Sequence, residues 1–255
     1  MNPKIRISIL SLFSLFLFFG GSLLAQETSV MVRALAKDAK FIGTSIGGAK
    51  IIVRNAETGE IMDQGITAGS TGNTELIVKK PRKRYEKISD ENAAGFEAKL
   101  DITQPTFVTV EAHAPINKKQ ARVLSTTQIW VIPGKDISGD GVILEVPGFV
   151  VDILSPQTHE SLAASKEITI KANVVMMCGC PVTEDGTWDA NQYEIKALIT
   201  SEEGESKEIA LKATEKSSTF KLNTKLEKGI YTLTVYAYDP VTGNTGLDRT
   251  NIIVN

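Results

Sequence analysis

Four sulfur side chains lie within five consecutive positions and are the residues best suited to chemistry: Met176, Met177, Cys178 and Cys180. Thioethers and thiolates are soft ligands, which select soft ions and above all Cu(I). Gly179 gives the backbone the freedom to turn so that both thiolates face one point. The segment therefore predicts a Cu(I) site, and with it a role in metal handling or delivery.

Nitrogen ligands for such a site are scarce, since the chain has only two histidines. His159 follows a Ser-Pro pair in the same half of the chain as the sulfur segment, and we include it among the candidate ligands. His113 ends a predicted strand in the other half and is a weaker candidate. Trp188 lies in the loop that carries the sulfur residues, where it would shield a metal from water.

Three other interpretations of the cysteines remain open. Cys178 and Cys180 can form a redox couple, because a disulfide across one residue is strained and easily reduced. Each can instead bridge to another chain. The structural alternative is that the run up to Met177 is core and the cysteines close a loop staple, which the oxidising conditions met by a secreted protein favour.

The first 25 residues have the composition of an export signal. Lys4 and Arg6 precede the apolar run Ile7–Phe19, and Ala25 supplies the small residue at a cleavage position. An uncleaved anchor is the alternative, because the apolar run approaches the length that spans a bilayer. We expect cleavage, a periplasmic or secreted protein, and no transmembrane anchor in the mature chain.

Apolar residues after the signal alternate with polar ones in short runs separated by Gly-rich turns, which is typical of β-sandwiches. We predict an all-β fold of two tandem Ig-like Greek-key sandwiches, 26–147 and 148–255, divided at Pro147. One short helix is expected at Ser89–Leu100. The predicted strands are Ser29–Ala36, Ala49–Arg54, Thr74–Val78, Thr106–Ala112, Ser125–Val131, Val142–Val146, Phe149–Leu154, Glu167–Val175, Tyr193–Thr200, Glu208–Ala213, Thr219–Leu222, Ile230–Tyr238 and Asp248–Val254.

The segment Leu226–Asp239 resembles the penultimate strand of bacterial Ig-like domains. The resemblance places Gly229 at the turn and Tyr231 at a tyrosine corner, where the hydroxyl bonds a nearby backbone group. Leu233 stands where antibody domains carry their second Cys, so no inter-sheet disulfide is implied. In the first half, Gly48–Glu60 is similar to carboxypeptidase-regulatory-like or transthyretin-like modules. Such folds host many functions.

Two further segments are weaker candidates for binding. Asp136–Gly141 has the alternating oxygen side chains of a calcium loop, but Pro147 occupies the position that needs a bidentate Glu, so a tight turn is the better interpretation. Lys79–Lys87 holds six basic residues that would suit an anionic polysaccharide or a phospholipid surface. Glu86 and nearby acidic residues dilute that charge, and a solvated loop is expected.

Charge and motifs limit the possible functions. The net charge is −2, or −4 once the two basic residues of the signal are removed, which does not suit a nucleic-acid binder. No G-x-S-x-G, Walker, H-E-x-x-H or C-x-x-C-H motif occurs. We therefore predict an exported, non-enzymatic binding protein with copper as its one candidate cofactor. The alternatives are an accessory module that binds a protein or glycan in the cell envelope, and a thiol–disulfide redox protein.

Overall fold

A computed structural model describes residues 26–255, so the predicted export signal lies outside the described part of the chain. The first sandwich packs a three-stranded sheet, in the order β4-β1-β7, on a four-stranded sheet, β3-β2-β5-β6. β1 pairs antiparallel with β4 and parallel with β7. The strands are β1 Gln26–Ala36, β2 Lys50–Asn55, β3 Ile61–Ile66, β4 Phe96–Ile102, β5 Thr106–Ala114, β6 Val123–Val131 and β7 Ile137–Val146.

The second sandwich has a four-stranded sheet, in the order β13-β14-β10-β8, and a five-stranded sheet, β12-β11-β15-β16-β9. β10 and β11 alternate buried residues with more exposed ones, because one face of each sheet covers the core. These strands are β8 Phe149–Ser155, β9 Ser161–Leu162, β10 Ile168–Met176, β11 Glu194–Ser201, β12 Ser206–Ala210, β13 Lys212–Ala213, β14 Thr219–Thr224, β15 Gly229–Tyr238 and β16 Thr245–Val254.

This architecture confirms the predicted all-β fold of two tandem sandwiches. No sheet among residues 26–255 combines strands from both sides of Pro147, although the domain limits themselves stay a prediction. The tyrosine corner is also present, since the Tyr231 hydroxyl donates to the Glu227 carbonyl at 3.1 Å. Sequence analysis missed β3, whose residues Ile61–Ile66 lack a clear alternation of apolar and polar types.

The predicted helix at Ser89–Leu100 is wrong, because side chains from distant strands bind the backbone at its start and two carbonyls that a helix would use. The Asp140 carboxylate accepts the N–H groups of Ile88 and Ser89, at 3.0 and 2.9 Å. Arg33 donates to the carbonyls of Ala93 and Ala94. The first half of the segment contains a turn, in which the Ala93 N–H donates to the Asp90 carbonyl at 3.1 Å, and its second half enters β4.

The predicted strand Thr74–Val78 is wrong as well, since a single π-helical turn occupies Glu75–Lys79. The side-chain oxygen of Asn73 accepts the N–H groups of Glu75 and Leu76, at 2.9 and 3.3 Å. The Asn73 side chain thus pairs backbone N–H groups that a strand would pair with a neighbouring strand, and this favours the helical turn.

The two sandwiches meet in an interface that continues the hydrophobic core, and buried apolar residues of both belong to one cluster. Asn244 is fully buried there. Its side chain accepts the Gly148 N–H at 2.9 Å and donates to the Lys37 carbonyl at 3.1 Å. The Trp188 indole donates across the interface to the Asp38 carbonyl at 2.8 Å. The sandwiches are therefore packed against each other, beyond their short covalent joint.

Substituting Asp140 tests the hydrogen bonds that hold the segment where a helix was predicted. Burial alone would raise the pKa of this carboxyl, but hydrogen bonds from Ser89 and Ile88 and the charge of Arg33 outweigh it and hold the pKa below its usual value. A carboxyl group whose pKa is lower in the folded than in the unfolded protein stabilises the fold when the pH is above its unfolded pKa. That stabilisation is lost as the pH falls through its folded pKa. We expect Asp140→Asn to lower the free energy of unfolding by about 1–2 kcal/mol at neutral pH.

Urea denaturation across pH 3 to 8 measures this effect. The difference between Asp140→Asn and the parent should shrink as the medium becomes acidic. Asp136→Asn is the matched control, because that exposed carboxylate accepts one backbone N–H, from Ser29. A destabilisation by Asp140→Asn that stays constant across the pH range would contradict the electrostatic explanation.

Candidate functional site

The sulfur segment lies at the end of β10, where this strand reaches the first sandwich. Met176 is in register with Phe149, the first residue of β8. Beyond Met176 the chain makes a tight turn in which the Gly179 N–H donates to the Met176 carbonyl at 2.7 Å. Cys178 and Cys180 flank this glycine and are joined by a disulfide, with their Cα atoms 5.4 Å apart.

The sulfur atoms belong to the interior of the protein. Met176, Met177 and Cys178 are at most 1% exposed, and Cys180 is 5% exposed. A Cβ atom at Gly179 would lie 3.4 Å from the Ile46 side chain, so the first sandwich covers the turn. The Cu(I) prediction needs two accessible thiolates, and the disulfide removes both, so this geometry gives copper binding no support.

The structure does not bring the nitrogen candidates to the sulfur segment. His159 is exposed and comes after Ser155, the last residue of β8. At the usual rise of a strand, Ser155 lies about 20 Å from Phe149, at the other end of β8. His113 lies in β5 of the first sandwich, where its Nε2 is 3.2 Å from a Glu111 carboxylate oxygen. Trp188 packs in the interface between the sandwiches. Residues 26–255 contain no group of three His, Cys, Asp or Glu side chains arranged to hold a metal.

The two weaker candidates also have structural partners. In the calcium-like segment, Asp136 and Asp140 accept backbone N–H groups of other segments, and the run from Ile137 onward is part of β7. In the basic run, Lys79 pairs with Glu75 at 2.8 Å, and the Arg84 guanidinium lies 4.5 Å from the centre of the Tyr85 ring. Two of the six basic side chains of the run therefore have a local partner, and all six are exposed.

A different charged feature emerges from the pairing of strands in the second sandwich. Lys212 of β13 is directly opposite Lys221 of β14, and Lys221 is directly opposite Lys171 of β10. All three are exposed, while Ile170 and Ala172 on either side of Lys171 are buried, so the lysines share the outer face of the sheet. We call these three residues the lysine row.

An open groove of about 800 Å³ adjoins the lysine row. Lys171 and Lys221 of the row line the groove, Lys216 adds a third positive charge to the lining, and Glu215 is the one carboxylate there. Neither Lys216 nor any lysine of the row forms a salt bridge with any carboxylate among the described residues. The remaining lining residues are small, hydroxyl-bearing or apolar: Leu154, Ala213, Thr214 and Thr219.

Sequence analysis did not identify the lysine row because its members are far apart in the chain. Each lysine occupies an ordinary outward position on a strand, and only the pairing register reveals that they face one another. The sequence does place a lysine at an outward position of each of these strands. Recognising that the three lysines are neighbours requires knowing which strands pair.

No family model and no curated protein matches the chain. The fibronectin(III)-like modules of CbhA from Clostridium thermocellum are 12% identical, with 90% of this chain and 94% of that chain covered and a TM-score of 0.30. The titin domains Z1Z2, solved in complex with telethonin, are 7% identical, with 91% and 98% covered and a TM-score of 0.25.

An engineered protein is 18% identical over 46% of this chain, with a TM-score of 0.32, and the match spans 22% of the engineered chain. At these TM-scores the likenesses assign no function, and the fold assignment is based on the strand pairing itself. Within residues 26–255, no helix has the length and apolar character needed to cross a membrane.

The buried disulfide leads to a prediction about stability. Replacing both cysteines by alanine, Cys178→Ala with Cys180→Ala, should lower the free energy of unfolding by about 2 kcal/mol. Opening a loop this short accounts for about 1.5 kcal/mol of that loss by the chain-entropy relation. The lost packing of two buried sulfurs supplies the rest. Urea denaturation of the variant and the parent measures the difference.

Burial also predicts that the disulfide resists reduction while the protein is folded. Treatment with a phosphine reductant and then iodoacetamide should add no label to the native protein and two labels in concentrated urea, as read by mass spectrometry. Ready labelling of the native protein would show that the cysteines are accessible, and this result would support the thiol–disulfide interpretation.

Proposed function

We propose that this protein is a non-enzymatic interaction module that binds an acidic polysaccharide through the lysine row of its second sandwich. The observation that carries the proposal is the direct cross-strand pairing of Lys212, Lys221 and Lys171, none of which forms a salt bridge among the described residues. The export predicted from the sequence would place the module where such polymers occur.

Like charges directly opposite on neighbouring strands destabilise a sheet. Adjacent strands are about 4.8 Å apart, so Lys171 and Lys212 have their backbones about 10 Å apart, with Lys221 between them. Asp152 is opposite Asn173, two residues beyond Lys171 on β10, and its carboxylate is bound by Lys118 at 2.8 Å rather than by the row. An external anion with several charges would relieve this repulsion, which favours a polyanionic ligand.

The surroundings of the row favour a sugar polymer over other polyanions. Thr214 and Thr219 line the groove, and Thr169 and Asn223 form a hydrogen-bonded pair at 3.0 Å on the adjoining strands. Hydroxyl and amide groups of this kind suit a ligand that carries many hydroxyls beside its carboxylates. Binding of single-stranded nucleic acid relies on aromatic side chains that stack on bases, and none lines this groove.

Binding to polygalacturonate tests the proposal. We expect the double variant Lys171→Gln with Lys221→Gln to bind at least tenfold more weakly than the parent, because two of the three opposed charges are lost. Parent binding should also weaken as salt is added, since exposed charges are screened. Isothermal titration calorimetry at two ionic strengths measures both effects.

The basic run of the first sandwich supplies a matched control. Lys80→Gln with Lys83→Gln removes the same charge from another exposed surface and should leave the affinity within about twofold of the parent. Equal weakening by both double variants would mean that binding follows net charge alone, and the proposed site would be rejected. Tighter binding to polyglutamate or to anionic vesicles than to polygalacturonate would reject the polysaccharide as ligand.

A further inference from the structure

The edge strand β6 lacks the features that usually prevent edge strands from associating. It has nine residues, forms the free edge of its sheet, and pairs with β5 without a bulge. Its sequence VLSTTQIWV has no charged residue, no proline and no glycine. Natural sheets protect their edges with such residues or with bulges, so an open strand of this kind is a candidate interface.

The hydrogen-bonding pattern of β5 shows which N–H and C=O groups of β6 point to the open edge. Phe107 of β5 points its carbonyl toward β2, because this oxygen accepts the Ala56 N–H at 2.9 Å. Directions alternate along a strand, so Val108 faces β6 and is hydrogen-bonded to its partner Ile129. Alternate residues of β6 therefore point their N–H and C=O groups outward to the open edge: Leu124, Thr126, Gln128 and Trp130.

The same four residues place their side chains on the outer face of the sheet. Leu124 is 55% exposed and Trp130 is 58% exposed. The Trp130 ring rests on Phe107, with ring centres 5.0 Å apart, and so is supported on one side only. Two large apolar side chains thus lie near opposite ends of an edge whose backbone is unpaired among the described residues.

We propose that two copies of this chain associate through antiparallel pairing of their β6 strands about a two-fold axis at Thr127. This register sets Leu124 opposite Trp130 of the partner and Thr126 opposite Gln128 of the partner. All of these residues have outward backbone groups, so the four facing pairs form about eight backbone hydrogen bonds, two in each hydrogen-bonded pair. The inference is independent of the lysine row.

The two-fold axis is perpendicular to the sheet, so the outer faces of both copies lie on the same side. The four-stranded sheets of the two copies then form one eight-stranded sheet. Leu124 of each copy covers the exposed side of the partner's Trp130, and the apolar contact is made twice. Any extended strand could supply the backbone hydrogen bonds, but a second copy also supplies the matching Leu124 and Trp130 side chains by symmetry, which favours self-association.

A pair of charge variants tests both the interface and its register. Thr126→Lys with Gln128→Lys places like charges opposite each other across the axis and should raise the dimer dissociation constant at least tenfold. Thr126→Lys with Gln128→Glu places opposite charges in the same facing positions and should keep the dimer. Sedimentation velocity over a concentration series measures each constant.

Folding is controlled within the same experiment. Both variants substitute the same exposed positions. At a concentration well below the parent's dissociation constant, where association adds no stability, their circular dichroism spectra and melting temperatures should therefore agree with each other and with the parent. A parent that stays monomeric at its highest soluble concentration would overturn the proposal. Equal association of the two variants, or loss of the dimer in both, would overturn the pairing about Thr127.

Tryptophan fluorescence gives a second measurement at the interface. The chain has two tryptophans, and Trp188 is buried between the sandwiches, so Trp188→Phe leaves Trp130 as the one reporter. Its emission should shift to shorter wavelength as protein concentration rises through the dissociation constant. In the background that also carries Thr126→Lys and Gln128→Lys, the emission should stay constant over the same range. A parent dimer with unchanged Trp130 emission would place the interface elsewhere.

Discussion

The packing of the two sandwiches against each other is the constraint on which the rest of this structure depends. Asn244, with no exposed surface, ties the joint at Gly148 to the carbonyl of Lys37 in the first sandwich. This contact closes the end of the second sandwich at which loops of an isolated Ig-like domain would be free to bind ligands. The first sandwich therefore determines which side chains at that end of the second sandwich remain accessible to a ligand.

The sulfur segment shows this constraint most clearly. Its composition is that of a soft-metal site, and its position at a strand end is where binding loops gather. In the folded chain Ile46 covers the turn and Cys178 is bonded to Cys180, so the segment contributes packing. Sequence composition identified an unusual segment, but its burial depends on a surface more than a hundred residues away in the chain.

Local patterns predicted most of the fold, and long-range contacts explain the failures. β10 and β15 follow alternating apolar residues, and Tyr231 makes the backbone hydrogen bond that its resemblance implied. The helix expected at Ser89–Leu100 fails because its backbone is bound by Arg33 and Asp140 from other strands. The lysine row was missed for a related reason. Which residues face each other on neighbouring strands depends on how the strands pair, and the sequence of one strand does not determine that pairing.

The short joint and the shared core of the sandwiches also govern how the protein would meet a long ligand. Two modules on a flexible linker would sample many separations, whereas packed sandwiches hold their surfaces in one relative orientation. A dimer built from such rigid units would be bivalent, with two cationic surfaces at one fixed spacing. The gain in avidity would then depend on whether a polymer can span that spacing, so chain length of the ligand would become a determinant of recognition.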